Sequence, residues 1–528
     1  MGHLKISTAT AAALLALSVA APADAQNTPK RGGTVIVAIP SSPGAINPTI
    51  TSSVPDQVAS CTIYEGLVKI SGQKILPQLA KSWSISPDGK TYTFDLVKAN
   101  WQDGKPFTSE DVKWALMEIN AKVTPSFSSG VGRMLESIEA PAPDKVILKL
   151  KQPFGPVIRS LSCNQGGALL PKHIFEGQNV LTTAASKEKP LGTGPFKLAE
   201  WKVGDFQRLV RNDDYWQPGK PYLDTVIVKV IPQSTGRVQA LKAGEIDYIP
   251  YYFIPANDLA QFQNNPKYTI EETKVQPAQA MLFFNLRKKP LDDKKVRQAL
   301  MMATDRDYLI KNGWLGMGRA GTAPFTKGLA WAADPDIDYN KMYPFDYAKA
   351  NAALDAAGLK RDANGTRFQT RILYPADETD FERVAVSLKA MWKNVGVDVV
   401  VDGLDRPTVE KRAFIDSDFD LHINSYTSYG DPALGLGRIF LTSAIGKAYS
   451  NASGYSNAEV DKLFAEAEGG TTEQERGLVY RKAQKILADD LPVLTLREFL
   501  AYDVYSSNIQ GLENDAYLPS WTDAWLKN

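Results

Sequence analysis

"LAKSWSISPDGKTYTFDLVKANWQDGKPFTSEDVKWAL", Leu79 to Leu116, encodes a complete supersecondary unit. Two alternating apolar/polar runs flank Pro87, Asp88 and Gly89. Proline presets φ, aspartate bonds back to the local backbone, and glycine accepts a positive φ, so the segment reads as a β-hairpin with a tight turn. A helix follows. Thr108 stands as its N-cap and Asp111, three residues on, gives an acidic variant of the capping box. Val112, Ala115 and Leu116 then line up as one apolar stripe.

Outward from this unit, "GTVIVAI" (33–39) reads as a buried strand, followed by the loop "PSSPGAINPT". "FKLAEW", "FQRLVR" and "DTVIVKVI" are three further strands, and "STGRVQALKAG" is a helix. The second half alternates long amphipathic helices, "DDKKVRQALMMATDRDYLIKNG", "DYAKANAALDAAG", "ERVAVSLKAMWKNVG" and "NAEVDKLFAEAEG", with the short strands "RILYP", "VDVVVDGL" and "FDLHI". That alternation predicts an α/β fold with a mixed or largely parallel sheet. At roughly 100–200 residues per domain, the 528 residues suggest two or three domains.

The net charge is +1, which leaves no field to recruit nucleic acid or an anionic membrane. "MGHLK" is a weakly basic start, "ISTATAAALLALSVAAP" an apolar core, and "ADA" (23–25) supplies small residues for a signal peptidase. Residues 1–25 are therefore expected to be a cleaved signal peptide, with cleavage before Gln26. The apolar run falls short of the roughly 20 residues a membrane span needs, so no direct membrane insertion is expected. No Cys stands at the cleavage site to carry a lipid anchor, and the exported chain is expected to be periplasmic. Two cysteines, Cys61 and Cys163, are either one disulfide or two buried thiols.

Catalytic and metal motifs are sparse. His3 falls in the signal peptide, leaving His173 and His422 far apart, too few for a His-based zinc site or a Ser-His-Asp triad. "GMGRAG" (316–321) has a dinucleotide spacing, but a helix precedes it and no helix opens on it, so its glycines read as a helix-ending turn. Asp and Glu are abundant without any local pairing that marks a hydrolase. The chain is therefore expected to be no enzyme and to carry no cofactor or metal.

Four blocks resemble the extracytoplasmic solute-binding proteins of the dipeptide/oligopeptide/nickel class, family 5 of the ABC-transporter binding proteins. They are Leu79 to Leu116, "GTGPFKLAEW" onward through Gly192 to Ile249, "FFNLRKKPLDDKKVRQALMMATDRDYLI" (Phe283 to Ile310), and "YSNAEVDKLFAEA" (Tyr455 to Ala467). The resemblance implies a two-lobed periplasmic-binding-protein fold of class II, cluster C type, with a large extra subdomain in lobe I. Lobe I would take residues 26–277 plus 496–528 and lobe II 278–495. Strands near "VQPAQAMLFFN" and "PVLTLREF" would form the hinge of the cleft between them. It also implies a monomer that hands a small-molecule ligand to an inner-membrane permease.

By family position, the cleft residues implied are Ser42, Asn47, Tyr64, Glu65, Asn285, Tyr374, Tyr426, Ser428, Tyr429 and Asp431. Trp314 is an outside candidate, and Arg406 and Arg438 are cations for a ligand carboxylate. Peptide-binding members commonly place an aspartate two residues before a Gly-Asp-Pro, where it pairs with the peptide ammonium. In "NSYTSYGDP" (424–432) that position is Ser428, which has no countercharge. The solute expected is accordingly a small polar organic molecule: peptide-like, an opine, a sugar or an aromatic acid. A conventional di- or oligopeptide remains the alternative, a nickel chelate a third, and a secreted hydrolase with a carboxylate-pair cleft the rival of another class.

Overall fold

The computed structural model describes residues 2, 28–51, 53–72, 74–254, 256–273 and 278–527. Apart from Gly2, the expected signal peptide and its cleavage point lie outside the described residues. Among those residues, no helix is long and apolar enough to cross a membrane.

Two mixed sheets organise the molecule. The first has seven strands in the order Tyr268–Thr273, Ala501–Ser506, Tyr248–Ile249, Thr34–Ile39, Thr225–Val230, Phe206–Arg211 and Phe196–Lys202. Thr34–Ile39 at its centre pairs in parallel with both neighbours, while the outer pairs are antiparallel. The second has six strands in the order Arg319–Ala320, Val493–Glu498, Ala278–Phe284, Leu421–Thr427, Phe368–Pro375 and Val397–Leu404. Ala278–Phe284 is buried on both faces. Ala280, Leu282 and Phe284 enter one core, Met281 and Phe283 another, as the two-residue period of a strand requires.

The opening segment supplies two strands of a separate four-stranded sheet with its own core, completed by Leu135–Ala142 and Lys145–Leu150. Its hairpin pairs Ala80–Ile85 with Thr91–Leu96, and Gly89 turns with φ +67°. Asp88 Oδ1 accepts from Ser86 Oγ at 2.5 Å and from the Lys90 N–H at 3.2 Å. The helix Ser109–Trp114 starts at the expected capping box, where the Thr108 N–H donates to Asp111 Oδ2 at 2.9 Å. Val112, Ala115 and Leu116 are fully buried.

Two sequence expectations are corrected. The helix expected over 292–313 is broken, because Asp305 caps a new start by accepting from the Tyr308 N–H. The segment after "FDLHI" is not a loop from Asn424: it continues as strand to Thr427, held by ladder pairing to Ala278–Phe284. Val493–Glu498 lies wholly in the six-stranded sheet and Ala501–Ser506 in the seven-stranded one, so the chain passes between the sheets at Phe499–Leu500. Tyr268–Thr273 lies in the first sheet and Ala278–Phe284 in the second, and 274–277 are outside the described residues.

Cys61 and Cys163 form a disulfide across 102 residues, a closure that contributes roughly 4–5 kcal/mol in the chain-entropy account. It joins the helix Val54–Ile63 to the segment 160–166.

Glu65 is buried beside this staple and accepts from Tyr215 Oη, Thr193 Oγ1, Trp216 Nε1 and Gln78 Nε2 at 2.8–3.2 Å. Burial pushes its carboxyl up to about 7, outweighing the hydrogen bonds that pull it down. The folded state therefore holds this proton more tightly than the unfolded chain. That stabilisation is complete below about 4.5 and disappears as pH rises through about 7. We expect the Tm advantage of the wild type over Glu65→Gln to narrow as pH rises from about 5 to 8 in calorimetry. Parallel Tm–pH curves for the two proteins would refute this assignment.

Candidate functional site

Leu421–Thr427 delivers the site. The strand sits inside the six-stranded sheet and its C-terminal end opens into the space facing the first sheet. The chain then reverses over Ser428–Asp431. Tyr429 and Gly430 take φ of +53° and +78°, a left-handed pair that costs a tyrosine conformational energy and favours glycine. A Cβ on Gly430 would also meet the Arg159 guanidinium at 3.0 Å. Ser428 closes the turn, its carbonyl accepting from the Asp431 N–H at 3.0 Å and its Oγ from the Gly430 N–H at 3.2 Å.

A buried ion pair fixes this turn. Arg476 donates to Asp431 Oδ2 at 2.6 Å and Oδ1 at 2.7 Å, and both side chains are only 2% exposed. Asp431 Oδ1 also accepts from the Ala433 N–H at 2.9 Å, capping the next short helix. Burial alone would pull the Arg476 guanidinium down, but the Asp431 carboxylate and Tyr480 hold it above its ordinary value.

Two cavities meet at Thr427. One, of about 350 Å³, has Thr51, Gln57, Asn164 and Tyr517 on one side and Thr427, Tyr429 and Arg438 on the other. The disulfide staples its first wall, since Gln57 shares a helix with Cys61 and Asn164 follows Cys163. The second, of about 440 Å³, is lined by Tyr251 and Tyr502 from the side of the seven-stranded sheet and by Ser425, Tyr426 and Arg497 from the six-stranded one. The first cavity has no acidic lining residue, and the second has one, Asp380.

The profile described as "Bacterial extracellular solute-binding proteins, family 5 Middle" matches residues 74–447, well over half of the chain. The chain belongs to family 5 of the bacterial extracellular solute-binding proteins. This family 5 chain is 29% identical over 480 residues to the oligopeptide-binding protein AppA of Bacillus subtilis strain 168, covering 88% of this chain and 86% of AppA. It is 26% identical over 520 residues to the dipeptide-binding protein of Escherichia coli K12, covering 94% of each. The structure of HbpA2 from Haemophilus parasuis superposes with a TM-score of 0.82 at 25% identity, covering 94% of this chain and 100% of that one. The two-lobed fold of the family is the fold found here, with the four-stranded unit as the extra subdomain.

In this family 5 protein, the residues named from sequence fall into two groups. Tyr426 and Tyr429 line the cleft cavities. Tyr426 lies between the Phe283 ring, 5.5 Å away, and Arg438, whose Cζ stands 5.3 Å over its face.

The others are held in the scaffold. Asn47 is fully buried, donating to Ser186 Oγ and accepting from Thr49, although its neighbours Pro48 and Thr51 reach the cleft. Ser42 Oγ accepts from the Gly204 N–H at 3.1 Å, away from both cavities. Tyr64 Oη accepts from the Leu191 N–H, and Glu65 is occupied by its four donors. Asn285 Nδ2 bonds the carbonyls of Ser417 and Phe419. Tyr374 packs over Gly403, where a Cβ would come within 2.6 Å of its ring. Ser428 is fully buried in the turn, and Asp431 is consumed by Arg476.

Trp314 is likewise buried. Arg406 is paired with Asp377 and Glu378, whereas Arg438 does line the cleft. Sequence reading passed over Arg497, Ser425 and Thr427. Arg497 belongs to "PVLTLREF", the segment read as a hinge, so its place at the crossing was the available signal.

Removing one member of a buried ion pair strands the other. Asp431→Ala is expected to lower stability by about 3–5 kcal/mol in denaturant titration. A loss below about 1 kcal/mol would mean that the turn does not depend on the pair.

Proposed function

We propose that this chain is the periplasmic solute-binding component of an ABC importer, which captures a small polar organic solute between its lobes and presents it to an inner-membrane permease. Residues 26–277 with the segment from 499 onward form one lobe and 278–498 the other, after a signal peptide is removed before Gln26. The protein acts as a monomer. Closure about the two crossings buries the solute, and differential contacts with the closed form supply the free energy of closure.

The observation that carries this reading is the pair of cavities walled from both sides and joined at Thr427. Their charge also narrows the solute. A peptide ammonium needs a carboxylate in a largely dry cleft. Ser428 offers none, Asp431 is bound to Arg476, and Asp380 is already paired with Arg383. The lining instead contributes two arginines, Arg438 and Arg497, together with tyrosine faces. Peptide-like amides, opines, sugars and aromatic acids suit that surface better than free-amino-terminus peptides do.

A thermal-shift screen over di- and tripeptides, opines, sugars and aromatic acids tests the reading. A solute at about 100 times its Kd should add about 2.7 kcal/mol of stability. Tyr429→Ala should weaken its binding without lowering the Tm of the ligand-free protein. A response confined to di- and tripeptides would make the protein a conventional peptide binder, and turnover of a solute would make it a hydrolase.

A further inference from the structure

Arg497 lies near the end of the strand Val493–Glu498, is 5% exposed, and lines the 440 Å³ cavity. Strand alternation sends its neighbour Glu498 to the opposite face, where that carboxylate accepts from Arg319 Nε at 2.6 Å and the Lys327 N–H at 3.2 Å. Among the described residues, the carboxylate ion-paired with Arg497 is Asp380, at 3.8 Å, beyond hydrogen-bond reach. Asp380 is also claimed by Arg383, and nearby Glu378 by Arg406. One paired aspartate thus stands between two guanidinium groups.

The Arg497 guanidinium is held in place by rings rather than by acceptors. Its Cζ lies 3.7 Å from the Phe499 ring centroid and 5.4 Å from that of Trp314. Its Nε is buried without a hydrogen-bond partner, and so is Ser425 Oγ on another residue lining the same cavity. Burial pushes the guanidinium down to about 10, so it stays charged at neutral pH. A buried cation with open donors in a mostly apolar cavity is costly until an anion meets it. A carboxylate fits best, because its two oxygens match the planar guanidinium fork. Tyr251, Tyr502 and Phe499 leave room for a flat apolar body beside it.

We propose that Arg497 is the anion-binding group of the cleft, and that the captured solute carries a carboxylate next to a flat apolar portion. This deepens the solute-capture reading above and rests on it. Ser425 and Tyr426 supply hydroxyls to the same head group or to an adjoining amide.

Two measurements test it. The first needs no ligand: Arg497→Met should keep or raise the Tm of the empty protein, since Asp380 retains Arg383. A fall of more than about 3 °C would make Arg497 a structural fixture and overturn the proposal. The second uses matched pairs: hippurate and hippuramide, 4-hydroxyphenylacetate and its amide, N-acetyltyrosine and N-acetyltyrosinamide. The carboxylates should raise the wild-type Tm and the amides should not. Arg497→Gln should bind the best carboxylate at least about 30-fold more weakly by calorimetry, while Arg406→Gln, outside the cavities, leaves it unchanged. A neutral or cationic solute that binds wild type and Arg497→Gln equally well would remove Arg497 and leave solute capture standing. Lobe closure by no solute of the wider screen would instead remove solute capture, with the empty-protein Tm still reporting on Arg497.

Discussion

The buried pair between Asp431 and Arg476 governs how the cleft is built. Asp431 ends the strand-to-turn passage that exposes Thr427 and Tyr429, and Arg476 holds it from the helix Glu473–Asp490. The guanidinium also donates to the Ala467 carbonyl at 2.7 Å and lies over the rings of Trp331 and Tyr480. Trp331 Nε1 returns a hydrogen bond to the Gly430 carbonyl at 3.2 Å. Such a pair gains little over a well-packed apolar substitute but is expensive to break, so it acts as a geometric clamp.

The clamp also reaches across the cleft. Gly155, from the first half, donates its N–H to the Glu468 carbonyl at 2.7 Å, and a Cβ there would strike Arg476. Arg159, almost fully buried beside Gly430, reaches Glu473 at 2.8 Å. One wall of the cleft is thus set by the same helix that fixes the turn, and the opposite wall by the Cys61–Cys163 staple. Between these rigid walls, the lining residues are left to define chemistry rather than shape.

Much of the architecture was legible because it is local. The hairpin at Pro87–Gly89, the capping box at Thr108 and the strand–helix alternation all follow from short-range backbone preference and periodicity. The sequence reading also pointed to Asn424–Pro432, whose Tyr426, Thr427 and Tyr429 line the two cavities, and it singled out Ser428 as a missing charge. What it misjudged was which side chains were free. Asn47, Tyr64, Glu65 and Asn285 are polar residues in plausible loops, yet each is satisfied by partners far away in sequence.

Sequence by itself determined the class of fold, the family and the serine rather than a carboxylate at position 428, because propensity, periodicity and residue identity are carried by the chain directly. Tertiary structure alone decided the Cys61–Cys163 bridge, the capture of Asp431 by Arg476 and the seating of Arg497 against the rings of Phe499 and Trp314. Whether a charged group is spent or available depends on partners 45 to several hundred residues away, as with Arg476 for Asp431 and Glu473 for Arg159. In a low-dielectric interior that pairing separates scaffold from site.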